Sequence, residues 1–174
     1  DLLPADTLLC FRLNNFSGTF EQLDQYLAGV SPMPVSMLFT TQLGSAIGDP
    51  LLNGVNKFGT IAAALLAGAD GEEPMGVLLL PAADVQMFLS SPYGKVDEKG
   101  LYTLTPPGSS VGPVSFVPLK GSSYLLMVPE SQKETLVSVQ ACLKDRKRSL
   151  SQRLKAEDAQ RSASAPFWLW LNVE

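Results

Sequence analysis

Apolar and polar positions recur along this chain with two periods, and each change of period predicts a change of element. Thr7 to Leu13 (TLLCFRL) puts Leu9, Phe11 and Leu13 on one face of a first strand. From Phe16 the spacing becomes helical, with Phe16, Phe20, Leu23 and Leu27 in one stripe and Glu21, Gln22, Asp24 and Gln25 toward water. This predicts a helix over Ser17 to Leu27, capped by Ser17. Gly29 and the SPMP segment of Ser31 to Pro34 separate it from a second helix over Val35 to Ile47, which Gly48, Asp49 and Pro50 stop. Gly59 to Pro81 then carries two apolar runs of strand length around Gly68, Asp70, Gly71 and Pro74, the pattern of a buried hairpin at the centre of a sheet.

The second half of the chain repeats this grammar. Asp84 precedes a short helix with Val85, Phe88 and Leu89 inward. Lys95 to Thr105 reads as a half-exposed hairpin, with Tyr102 and Leu104 on the apolar side and Leu101, Thr103 and Thr105 on the other. After the loop of Pro106 to Pro113, Val114–Leu119 and Ser123–Val128 form a third hairpin, and Pro118 marks its first strand as an edge. Ser131 and Glu134 have the spacing of a capping box opening a helix to Leu143, with Leu136 and Val139 in its stripe. The chain turns basic from Lys144, with a further helix expected. Arg161 to Ala165 (RSASA) reads as a linker before a last strand, Pro166 to Val173. Trp168 and Trp170 share one side of that strand, and Phe167, Leu169 and Leu171 share the other. A strand so apolar on both faces calls for a cover, either helices, a further segment or a second copy.

Composition narrows the chemistry. A length of 174 residues supports one hydrophobic core. A net charge of -4 disfavours a general nucleic-acid binder, and the basic run Lys144 to Lys155 has no interleaved aromatics, so it reads as the solvated face of a helix. Histidine is absent, which removes the usual general base and the commonest metal ligand. Ser109 and Ser110 therefore have no triad partner, and no G-x-S-x-G elbow surrounds them. Cys10 and Cys142 form no metal-binding pair of neighbours, and their side chains read as small core residues, with one disulfide as the alternative. Asp70, Glu72 and Glu73, like Asp97 and Glu98, read as turn residues, not as a calcium loop. No cofactor or metal is expected. No apolar run reaches the roughly 18 residues of a membrane span, and a start at Asp1 fits a leader removed by processing or by design of the fragment.

Leu9 to Asn14 (LCFRLN) can be laid over Phe167 to Asn172 (FWLWLN), an internal echo in which Leu13 and Asn14 match Leu171 and Asn172. The succession PADTLLCFRLNN, GDPLLNGVNKFGTIAAALL, VLLLPAADVQMFL and SFVPLKGSSYLLMVPESQKETL resembles uncharacterised exported bacterial proteins built from duplicated α+β halves. That resemblance implies a periplasmic, envelope or secreted location and brings no catalytic residue with it.

The expectation is therefore an α+β fold, a mainly antiparallel sheet of hairpins with helices packed on it. Residues 1–174 form one domain, or the first half of a duplicated protein with 166–174 bordering a second repeat. The function expected is that of a noncatalytic exported structural or protein-interaction module. Its partner is another protein or a second repeat, and Trp168 and Trp170 are the contact residues. The competing class is a small ligand-binding domain or hydrolase whose cleft no local motif reveals.

Overall fold

A computed structural model describes residues 3–5, 7–67, 73–109, 112–134, 136–137, 139–140 and 150–172. The strands are β1 (Thr7–Leu13), β2 (Ile61–Leu66), β3 (Met75–Pro81), β4 (Gly94–Val96), β5 (Tyr102–Leu104), β6 (Val114–Pro118), β7 (Tyr124–Pro129) and β8 (Phe167–Leu171). They form one 8-stranded sheet in the order β4-β5-β6-β7-β3-β2-β1-β8, and every neighbouring pair is antiparallel. Among the described residues the helices include α1 (Phe16–Tyr26), α2 (Val35–Ile47), α3 (Val85–Leu89), α4 (Leu150–Arg153) and α5 (Ala156–Ser164), with a 3-10 turn at Glu130–Gln132 and further α-helical residues at 136–137 and 139–140. The fold is α+β with a mainly antiparallel sheet.

Strand periodicity assigns the core to both faces of this sheet. On one face Leu13, Leu80, Leu104, Phe116 and Leu125 meet Phe16 and Phe20 of α1, Ile47 of α2 and Phe88 of α3. On the other, Cys10, Ala62, Ala64, Val77, Leu79 and Leu126 meet Leu136, Val139 and Leu150. The central hairpin β2–β3 contributes to both clusters, because it lies inside the sheet and its register, Ala62 with Leu79 and Ala64 with Val77, sends alternate side chains to opposite sides. Asp70 and Glu72 at its tip lie outside the described residues, and Glu73 is exposed.

The helix α2 has the bounds its flanking residues predict, ending at Gly48 in the left-handed region with φ 72. Its start is capped from elsewhere in the fold. Asp24 Oδ1 accepts from Val35 N (2.6 Å) and Ser36 N (3.3 Å). The residue expected to face water thus ties α1 to the open N-terminus of α2. The Ser36 side-chain hydrogen bond, followed by these backbone bonds, holds the Asp24 carboxyl below its ordinary range. The cap of α1 is also corrected. Phe16 already lies within the helix, and Asn15, at φ 44, offers its Oδ1 to Gly18 N at 3.4 Å. Asp84 caps α3 as expected, accepting from Gln86 N at 2.8 Å.

Three further expectations change. Pro118 does not mark an edge strand, because β6 lies between β5 and β7. The proline is tolerated because β5 pairs only as far as Phe116 and leaves the end of β6 without a neighbour on that side. Residues 161–164 belong to α5 and are no linker. There Ser162 Oγ donates to Ala159 O (2.8 Å) and Ser164 Oγ to Gln160 O (3.0 Å), so the hydroxyls are satisfied within the helix. The expected capping box at Ser131 begins with a 3-10 turn closed by Lys133 N donating to Glu130 O. Leu136 is the first α-helical residue described after that turn, and Leu143 lies outside the described residues. Glu134 instead pairs with Lys99 at 2.8 Å.

The second hairpin is less exposed than its pattern suggests, since Leu101 and Leu104 are both buried, in opposite clusters. Its turn is built by Asp97, whose carboxylate accepts from Lys99 N (3.0 Å) and Leu101 N (2.9 Å) and pairs with Lys133 Nζ at 2.7 Å. The hydrogen bond from Lys133, above all, holds that carboxyl below its usual range.

Candidate functional site

β8 is the last strand of the sheet and pairs with β1 in the register Leu9–Leu171, Cys10–Trp170, Phe11–Leu169, Arg12–Trp168 and Leu13–Phe167. The echo seen in the sequence is therefore also a contact, with Phe11 opposite Leu169, the residue that overlies it in the alignment of the two segments. The pairing is closed at both ends, by Asn14 N donating to Pro166 O (3.0 Å) and Asn172 N donating to Leu8 O (2.8 Å). In an antiparallel ladder hydrogen-bonded and non-hydrogen-bonded pairs alternate. These two bonds therefore fix the parity of the strand. The backbone of Trp168 and Trp170 bonds inward to β1, and Phe167, Leu169 and Leu171 turn their N–H and C=O groups to the outer side. Among the described residues no strand pairs with that side.

The side chains divide the same way. Phe167, Leu169 and Leu171 are 44%, 64% and 57% exposed. They lie on the sheet face of Leu13 and Phe11, and the Phe167 ring packs 6.3 Å from that of Phe11. Trp168 and Trp170, the pair expected to meet a partner, are half-buried and packed against the opposite cluster, which contains Cys10 and Leu150. β8 also lacks what usually protects an edge. It has no charged side chain, no proline within the strand and no irregularity in its pairing to β1.

One side chain ties this strand and α5 to the body of the sheet. Asn14 Nδ2 donates to Ser162 O (2.8 Å) and Ala165 O (2.7 Å), and its Oδ1 accepts from Arg12 Nε (3.0 Å) and Thr60 Oγ1 (2.8 Å). The Asn14 carbonyl faces Pro166, which has no N–H to offer, and takes the Thr19 hydroxyl instead at 2.8 Å. The strand pattern ends at Leu13 and by itself marks no role for Asn14. Its place in both copies of the echo, as Asn14 and Asn172, was the signal available.

Beneath Trp168 lies a cavity of about 370 Å³, walled by Cys10, Arg12, Thr60, Ala62, Leu154 and Ser162 among others. Arg12 is the charged residue of its described lining, and it pairs with no carboxylate among the described residues. Cys10 is a free thiol, pushed up to about 11 by burial against a smaller opposing effect of Arg12, so it is protonated at neutral pH. The Ser162 and Thr60 hydroxyls are engaged with Ala159 O and Asn14 Oδ1. The cavity thus offers apolar walls and one cation, with no activated nucleophile among these groups. Cys142, Ser110 and the basic stretch up to Ser149 lie outside the described residues. Farther along, Arg153 donates to Ala5 O at 2.9 Å.

No family model, curated protein or solved structure matches the chain. No described helix is long and apolar enough to cross a membrane.

Proposed function

We propose that the protein is a noncatalytic structural or protein-interaction module that works through the outer edge of β8, and that it acts after export, in the periplasm or cell envelope. The location rests on the resemblance to exported proteins alone. The interaction rests on one observation, the outward backbone of Phe167, Leu169 and Leu171 beneath three exposed apolar side chains. An edge of this kind binds by strand addition, in which main-chain hydrogen bonds supply affinity and alternate side chains supply selectivity.

The internal echo suggests a probe. β8 resembles β1, and the strand that β1 holds on its other side is β2. A labelled peptide of residues 60–66 (TIAAALL), flanked by lysines for solubility, is expected to bind the chain saturably in a fluorescence anisotropy titration. Leu169→Pro is expected to weaken that binding at least tenfold. It removes an outward N–H that β1 does not use, a position where a strand edge tolerates proline, so the fold persists by circular dichroism. Equal binding to the variant, or none to the parent chain, overturns the proposal.

A further inference from the structure

We infer that the occupant of the β8 edge is a second copy of this chain, docked antiparallel about a two-fold axis through Leu169. The inference rests on the edge-binding reading above and adds the identity of the partner.

Three observations converge on this arrangement. First, a symmetric antiparallel pair is centred either on an inward-facing residue, which meets itself at a non-hydrogen-bonded pair, or on an outward-facing one, which exchanges both hydrogen bonds with its counterpart, and only an outward-facing residue at the middle of β8 pairs all three outward-facing residues of the strand with one another. Leu169 is the middle residue of β8 and has that parity. Centring there makes Leu169–Leu169, Phe167–Leu171 and Leu171–Phe167 the hydrogen-bonded pairs, so every outward N–H and C=O of the strand is satisfied. Second, the sequence Phe-Trp-Leu-Trp-Leu is close to palindromic in side-chain type. About this axis Trp168 stands opposite Trp170 of the partner subunit at a non-hydrogen-bonded pair, the closer of the two spacings and the one in which aromatic cross-strand contacts are strongest. On the other face Phe167 stands opposite Leu171 of the partner subunit. No charge meets its like, because β8 carries none. Third, the chain already shows an antiparallel pairing in the same register, although through the inner edge of β8 and with Leu169 at a non-hydrogen-bonded pair. β1, which β8 echoes, accepts β8 antiparallel with Leu169 at the centre of the register.

The product is one sheet running through both copies with β8 against β8 at its middle, which leaves β4 as the outer strand at either end. Its three exposed side chains gain a matching apolar surface from the partner copy. A seam of one short strand falls below the roughly 1,200 Å² of the tighter complexes. The dimer is therefore of micromolar strength and is seen at tens of micromolar chain.

Sedimentation velocity across a concentration series tests this on the whole chain. The expected result is a shift from the 18.7 kDa monomer toward twice that mass. Leu169→Lys, which opposes two cations on the axis, is expected to weaken the dimer at least 100-fold, while Phe58→Lys, at an exposed site outside the strands, leaves it unchanged. A second readout does not depend on the stability of that variant. In a Cys142→Ser background, Leu169→Cys is expected to form a disulfide-linked dimer with oxidised glutathione, since its Cα atoms lie about 5.5 Å apart across the axis. Tyr26→Cys, well exposed on α1, does not. A chain that stays monomeric and uncrosslinked yet binds the residue 60–66 peptide overturns the second copy and leaves the edge reading standing. Failure of both experiments removes both. A dimer indifferent to Leu169→Lys places the contact elsewhere and also overturns the inference.

Discussion

Phe116→Ala lowers the stability of the chain by about 3–5 kcal/mol, the range for removing a fully buried aromatic ring from a core that only partly closes the space. Phe116 has no exposed surface. Its ring stacks on Tyr102 at 5.3 Å and meets Phe88 edge-on at 6.3 Å, so it joins the second hairpin, the third hairpin and α3 in one cluster. Relaxation is limited because β6 is clamped by neighbours on both sides. Urea unfolding checks the size of the loss. Circular dichroism and tryptophan fluorescence should report one shared transition, since a core lesion destabilises the sheet as a whole. A loss below 1 kcal/mol would mean that this cluster is not packed as described.

Asn14→Ala has a second, more local effect. Four hydrogen bonds end on this side chain, and without it the carbonyls of Ser162 and Ala165, the Thr60 hydroxyl and Arg12 Nε all lose a partner. At about 0.5–1.5 kcal/mol for each net bond, more where a group stays dry, the expected cost is about 2–4 kcal/mol. Asn14→Asp keeps the acceptor and turns a second oxygen toward two carbonyls, so it should fare little better. The lesion should show first at β8 and α5. Both tryptophans of the chain lie on β8, so their fluorescence reports that strand alone. In Asn14→Ala the fluorescence transition is expected at lower urea than the circular dichroism transition. Coincident transitions would show that Asn14 is not the tie between β8 and the sheet.

Much of this fold is legible from residues whose local meaning is strong. Pro34 and Gly48 bound α2 because one cannot be followed back into helix and the other accepts a left-handed turn. The two apolar runs around Gly68 and Pro74 pair as a hairpin because chain proximity leaves few other choices. What escaped is tertiary. Pro118 misled because strand order is a long-range property, and a proline at the end of a short interior strand meets the same backbone condition as one on an edge. Asp24 reads as a surface residue until α2 is seen to begin beside it. For β8, parity separates Trp168 and Trp170 from Phe167, Leu169 and Leu171 by sequence alone, whereas which set faces the protein depends on where β1 and α4 lie.

Amide hydrogen exchange of β8 tests the central claim, that its outer edge is the working surface. In dilute chain the amides of Trp168 and Trp170 should be protected by β1, and those of Phe167, Leu169 and Leu171 should exchange at least tenfold faster. Raising the chain to hundreds of micromolar should slow the second set and leave the first unchanged. Leu169 as slow as Trp170 at every concentration would contradict the account, because it would mean that the edge is already occupied within a single chain.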